Sequence, residues 1–465
     1  MPLSVFDLFT VSVGPSNSHG AGAAKAAAAF AEHLGSLGLL SSVESIRVVL
    51  YGSSAPSTGF SHGTIAAIAA GLEGIRPSDL DAEELDRTIR RIHETGSLKL
   101  AGKHFIRFSS DEVSVEPLAA TPTQGSGIKF TALAGQAGLP LLAEVGYSIE
   151  DGSLDKCSRN PHGPATQGNR IPFPFTSGQE LLSLCERYDV SITELVMANE
   201  SANRSRREIR DGVLEIHRVM QDCITRGIQK DGPLSATHNA RRRAKAWFEK
   251  LSAEDPDFDP FFAPEWVNLV ALAVTEENAA GGRVVTAPTN GAAGIIPAVL
   301  YYATAYVPRL AKASLEDRSD AIVRFFLTAA GIGSLLNLAR TSIAEVEVGC
   351  QGEVRSATAM AAAGLAELLG GTPAQIETAA GIGMERTLGP TCDSFGGSFQ
   401  APCINHSAMA SNTAIAAARM AVRGDGPMRL SFDEVLQKAP GTELSKDERY
   451  TEAADGDLAA TLLRC

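Results

Sequence analysis

Seven cysteines are spread over 465 residues, and four of them stand where thiol chemistry could be concentrated. Cys350 in VGCQGE, Cys392 in GPTCDSFGG and Cys403 in QAPCINH share one Gly-rich stretch, and Cys465 is the last residue. Iron–sulfur clusters are held by cysteine thiolates, and a 4Fe-4S cube with three permanent ligands and a removable fourth keeps one iron open as a Lewis acid for a substrate oxygen. Gly349, Gly352, Gly396 and Gly397 beside the thiols suit backbone that must approach a bulky inorganic group. The spacing itself matches no compact ferredoxin or zinc-ribbon signature. Free thiols serving as small core residues are the other reading of the same positions.

Three further segments place polar groups where packing alone would not ask for them. VVTAPTNGAAGIIPAVLYY sets Thr286, Thr289 and Asn290 just before an apolar helix, whose free N–H groups and positive dipole end suit a carboxylate or phosphate. SVGPSNSHGAGAAKAA repeats the arrangement with Ser16, Ser18 and His19 leading into a helix. YGSSAPSTGFSHGT puts His62 in a Gly/Ser-rich loop. A histidine in such a loop has little apolar reason to be there and titrates near working pH, so His19 and His62 are the general-base candidates. Helix capping is the plainer role for either one, as an ordinary turn is for Thr-Asn-Gly.

The elements that must position these groups fall into two textures, which predicts a two-domain α+β fold. Residues 1–150 alternate β-rich runs (SIRVVLYG, HFIRFS, VSVEPL) with helical ones (AGAAKAAAAFAEHLGSL, AEELDRTIRRIHETG), as a compact α/β domain does. Residues 151–175 are rich in Gly, Pro, Asn and Ser and read as a linker or active-site loop. Residues 176–465 read as an all-helical catalytic domain with a C-terminal tail, rich in Ala and Gly, so its helices should pack at close range. Thr372, Pro373 and Gln375 predict a capping box at one helix start, and ATAMAAAGLAELLGG and SNTAIAAARMAVRGDG predict helices stopped at glycine. No fixed-period repeat is present.

Composition narrows the partners. A net charge of −13 without a basic stripe argues against nucleic acid and anionic membranes, and the run from Arg241 to Lys250 reads as a solvated helix face. The start, MPLSVFDLFTVSVGP, carries no basic-then-apolar leader, and no uninterrupted apolar run approaches the roughly 18–20 residues of a membrane span. A cytoplasmic protein is expected, in a compartment that keeps thiols reduced and favours ligation over disulfides. The expected partner is a small molecule.

The stretches VVTAPTNGAAGIIPAVLYY, EVGCQGEVRSATAMAAAGLAELLGG and NTAIAAARMAVRGDG resemble the single-chain bacterial iron–sulfur L-serine dehydratases, or L-serine ammonia-lyases. The likeness extends through SVGPSNSH, LYGS, PFPFTSGQELLSLCE and ELVMANE to the terminal cysteine, and so covers nearly the whole chain. It implies a lyase that deaminates L-serine to pyruvate and ammonia on a 4Fe-4S cluster, with an N-terminal α/β domain, a helical catalytic domain and a homodimer. It also implies Cys350, Cys392 and Cys403 as permanent ligands and Cys465 as a tail ligand that substrate displaces. His62 or His19 would remove the α-proton, while Ser16, Ser18, Thr289 and Asn290 would hold the carboxylate.

The departures from that pattern lie in substrate-facing loops. The family has SSHT where this chain has SNSHG, GTD where it has Gly63-Thr64-Ile65, and a YSxGGG turn where it has Tyr147-Ser148-Ile149-Glu150-Asp151-Gly152. CDPVGG and PCIERN become CDSFGG and PCINHS. Glu150 and Asp151 would repel a carboxylate where glycines would offer N–H groups. Another β-hydroxy or β-substituted amino acid is therefore the near alternative substrate. A pyridoxal-phosphate dehydratase lacks its Schiff-base lysine setting and phosphate loop here, and a non-catalytic iron–sulfur sensor would not need the polar loops.

Overall fold

The computed structural model describes residues 2–14, 18–51, 64–75, 82–116, 127–134, 139–148, 171–235, 238–342, 350–385, 401–424 and 431–436. The first part runs α1 (Val5–Leu8), β1 (Val11–Val13), α2 (Ser18–Ser36), β2 (Ser45–Tyr51), α3 (Thr64–Leu72), α4 (Ala82–Thr95), β3 (Ser97–Leu100), β4 (His104–Arg107), β5 (Val113–Glu116), β6 (Gly127–Ala134) and β7 (Leu139–Ser148). The second runs α5 (Gly178–Tyr188), α6 (Ile192–Glu200), α7 (Arg206–Gln229), β8 (Pro233–Ser235), β9 (His238–Arg241), α8 (Ala244–Glu254), α9 (Ala263–Ala279), β10 (Arg283–Val285), α10 (Ile295–Tyr306), α11 (Pro308–Ala311), α12 (Leu315–Ser342), α13 (Cys350–Leu368), α14 (Pro373–Glu385) and α15 (Ala401–Arg423).

In the α/β part, β2 is the central strand. It pairs antiparallel with β6, which pairs with β7, and on its other edge it meets β4 and then β5 in parallel; β3 closes that edge against β4. Alternation along the strands puts Ile46, Val48 and Leu50 of β2 and Ile128, Phe130 and Ala132 of β6 on one buried face. That face is covered by Ala23, Ala27, Phe30 and Leu34 of α2 and Ile68 of α3. The alanine-rich helices approach closely: a Cβ on Gly71 of α3 would lie 2.2 Å from the Ala24 carbonyl of α2.

Local chemistry sets the helix starts in the second part. Ser191 and Ser205 each accept from the backbone N–H three residues on, while Glu194 and Glu208 reach back to the cap N–H. The same reciprocal bonds join Thr372 and Gln375 at the start of α14, at 3.0 and 3.3 Å, as the sequence predicts. α13 ends two residues before Gly370, which takes φ +85°, and α15 runs out at Gly424. α13 sits at the centre, with Met360, Ala361, Ala362 and Ala363 fully buried. α12 antiparallels it, and a Cβ on Gly364 would meet the Phe325 ring at 2.8 Å. The stretch Leu315–Leu336 of α12 is long and apolar enough to cross a membrane, yet 83% of its most apolar window is buried inside the protein, as in a core helix.

Two findings refine the sequence reading. Residues 3–13 belong to the helical body: Val5, Leu8 and Phe9 join its core, and the Glu200 carboxylate accepts from the Val5 N–H at 2.7 Å and from the Ser4 hydroxyl at 3.0 Å. The basic run is not one solvated face. Its helix begins only at Ala244, and Arg242 is 5% exposed and paired at 2.6 Å with the fully buried Glu277.

Candidate active site

The two polar segments meet through a two-stranded ladder. β1 pairs antiparallel with β10, Val11 opposite Val285 and Val13 opposite Arg283. Thr10 takes up Thr286 completely: the Thr286 N–H donates to the Thr10 carbonyl at 2.8 Å, and the two hydroxyls lie 2.8 Å apart. Thr286 thus fastens the N-terminal strand to the loop at 286–290. Thr289 stands in the cap position of the 3-10 turn Asn290–Ala292 without capping it. Its hydroxyl is buried and has no hydrogen-bond partner among the described residues. Asn290 is buried beside Ser12, whose hydroxyl lies 3.4 Å from its Nδ2.

Three helix starts converge on this turn. α10 begins at Ile295, separated from it by two residues. α13 begins at Cys350, and one turn on Glu353 abuts the loop, since a Cβ on Gly291 would lie 2.3 Å from its Oε2. α15 carries Cys403 as its third residue, and one turn on Ser407 abuts Gly294, where an added Cβ would lie 3.3 Å from the Ser407 Cβ. α13 and α15 therefore run parallel, and at their far ends Gly371 faces Val422 at 3.2 Å. α9 runs the other way, tied to α15 by the 2.7 Å bond from Asn412 to Asn268, so its last turn reaches the same end of the bundle. The positive ends of three helix dipoles at one place favour thiolates and carboxylates there.

The last turn of α9 holds residues that sequence reasoning passed over. Glu276, Glu277 and Asn278 are all fully buried, and each reaches a different element. Glu276 accepts the Arg243 and Ala244 N–H groups at the start of α8, and burial raises its carboxyl above the usual range against those bonds. Glu277 takes Arg242, with Arg226 at 3.4 Å and Lys230 at 3.8 Å. Asn278 donates from Nδ2 to the Asn290 carbonyl at 3.0 Å. The available signal was TEENAAGG, four consecutive polar residues closing an apolar helix ahead of two small ones and two glycines.

Of the other expected site residues, Ser18 and His19 open α2, four residues beyond Gly14 and so next in sequence to the ladder. Ser16, His62, Cys392 and Cys465 lie outside the described residues. Among the described residues no three His, Cys, Asp or Glu side chains gather as a metal site. The parts that are described fit a thiolate-held cluster in two respects. Cys350 and Cys403 begin parallel helices at one end of the body, and the buried Thr289 and Ser407 hydroxyls at that end lack partners among the described residues.

The helical part of this α+β chain gathers cysteine-bearing helix starts around a buried Thr-Asn turn, fastened by the N-terminal strand. Residues 4–157 match the family model of the serine dehydratase beta chain, and residues 187–459 that of the serine dehydratase alpha chain. An L-serine dehydratase of Mycobacterium bovis is 46% identical over 460 residues, covering 99% of this chain and 98% of the relative. One of Streptomyces coelicolor is 44% identical over 468 residues, covering all of both chains, and L-serine dehydratase TdcG of Escherichia coli is 41% identical over 461 residues, covering 98% of each. The chain belongs to the serine dehydratase family.

Proposed function

We propose that this protein removes water from L-serine by α,β-elimination, releasing aminoacrylate that tautomerises and hydrolyses to pyruvate and ammonia. The supporting observation is the convergence of the α10, α13 and α15 starts, two of them carrying Cys350 and Cys403, on the turn holding Thr289 and Asn290. Serine's α-proton is weakly acidic and its hydroxyl leaves poorly, so a base is needed on one side and an electrophile on the other. Cys350, Cys392 and Cys403 would hold a 4Fe-4S cluster, with Cys465 as the exchangeable fourth ligand, and such a cluster would supply Lewis-acid chemistry for the departing hydroxyl. His62 takes the α-proton, with His19 as its alternate. The hydroxyls of Thr289, Ser16 and Ser18, the Asn290 amide and the helix N-termini hold the carboxylate. Thr286 contributes by fixing the loop, because its hydroxyl is engaged with Thr10.

Anaerobic reconstitution with iron and sulfide followed by an amino-acid screen for 2-oxo acid release tests this reading. L-Serine is expected to lead, and preference for another β-hydroxy or β-substituted amino acid would overturn the substrate while keeping the elimination. Alanine at Cys350, Cys392 or Cys403 should abolish broad visible absorption and activity together; full iron and sulfide in all three variants would refute the ligand set. His62→Ala should cost on the order of 100- to 10,000-fold in rate with the cluster retained. A dead His19→Ala beside an active His62→Ala would exchange the two roles. The homodimer that the family likeness implies is checked by sedimentation of the reconstituted protein.

A further inference from the structure

Asn278 lies against both the end of the N-terminal strand and the turn at 290. From the last turn of α9 its Nδ2 donates to the Asn290 carbonyl at 3.0 Å, which holds the 3-10 turn after Thr289 from below. Its backbone faces the other segment, where Gly14 follows β1: a Cβ on Gly14 would lie 1.8 Å from the Asn278 carbonyl oxygen and 2.6 Å from its Oδ1. That approach is closed by a second bond, from the Gly14 N–H to the Gly282 carbonyl at 2.9 Å, and the Gly282 N–H returns to the Glu277 carbonyl at 2.7 Å. Asn278 is fully buried, and among the described residues its Oδ1 has no donor.

We propose that Asn278 is a positioning residue that clamps the strand end at Ser12–Gly14 to the TAPTN segment at 286–290, setting the affinity for the carboxylate of the amino-acid substrate. The proposal rests on reading those segments as the carboxylate-holding ones. The clamp is rigid from behind, because Glu276 and Glu277 in the same turn are fixed to α8 and to the cations of α7 and the residue after β9. Contacts that hold a non-reacting carboxylate act alike on ground and transition states, so their loss raises KM more than it lowers kcat.

The test is Asn278→Asp, which keeps the shape and turns an oxygen toward the Asn290 carbonyl in place of the donor. The control is Asn268→Ala, which removes the acceptor of the 2.7 Å bond from Asn412, ten residues before Asn278 on α9. Reconstituted holoproteins are compared for L-serine kinetics, visible absorption and amide hydrogen exchange. Asn278→Asp is expected to raise KM on the order of 10-fold with kcat within about 3-fold and absorption unchanged. Peptides over 9–14 and 284–294 should exchange faster, while those of α5 to α7 do not change. The control should lose melting temperature without a change in KM. Unchanged KM and unchanged exchange in both peptides would overturn the proposal, as would faster exchange throughout the helical body, which marks a merely structural role. A wild type inactive on every amino acid refutes the functional reading instead, and the exchange pattern alone then decides the clamp.

Discussion

Replacing Arg242 by Met probes the anchor on which the site turn rests. Glu277 is fully buried and faces three cations, but attraction falls with distance and with solvent screening. Arg242 lies nearest, at 2.6 Å and 5% exposed, whereas Arg226 at 3.4 Å is 33% exposed and Lys230 at 3.8 Å is 49% exposed. Removing one partner of a buried pair typically costs about 3–5 kcal/mol, because the other charge stays desolvated. The two remaining cations place this case near the lower limit, about 3 kcal/mol. At roughly 2–4 °C per kcal/mol for a body of this size, the helical transition should fall by about 6–12 °C. Urea and thermal unfolding of the reconstituted protein, kept anaerobic and followed by far-UV circular dichroism, measures it. Arg242→Met/Glu277→Leu should recover most of the loss, since replacing both partners of a buried pair is often near neutral. A single variant within about 0.5 kcal/mol of wild type, or a double variant no better than the single, would refute the reasoning.

Three further outcomes are expected. The Glu377 carboxyl is raised by burial and by Asp433 against the hydrogen bond from the Phe432 N–H, so its contribution is present below about pH 4.3 and is lost as pH rises through the raised value. Glu377→Gln, which can still accept that bond, should flatten this dependence and gain stability at neutral pH; a loss there would sink the argument. Burial pulls His217 down to about 4, so its contribution is present above about pH 6.5 and lost between there and pH 4. His217→Gln should unfold less steeply across that window, and an unchanged slope would show that another group carries it. Cys465→Ser should keep the cluster's absorption, shorten its lifetime in air and lower or leave unchanged the KM, because a tethered competitor at about millimolar effective concentration is removed. Identical air lifetimes and substrate curves would mean that the tail never reaches the iron.

Much of the architecture is written locally. The Thr372–Gln375 box, the glycine stops after α13 and α15, and the alternation of β2 and β6 each follow from a few adjacent residues, and the structure repeats them. The family, too, is carried by motifs readable along the chain, and so are Thr289, Asn290 and the starts of α13 and α15 as places of interest. What the sequence could not say is which distant pieces meet. That residues 3–13 desert the α/β half to join the helical core depends on a ladder between β1 and β10, some 270 positions apart, and on Glu200 reaching the Val5 N–H. A single hydroxyl such as that of Thr286 looks like a ligand group until Thr10 is seen opposite it. Arg242 looks solvated until Glu277 is found buried at 2.6 Å, and Asn278 looks like the polar end of a helix until its amide is found under Asn290. Period and capping are short-range properties of the backbone. The cost of burying a charge or an amide is set by whatever lies across the contact, and only the folded chain decides that.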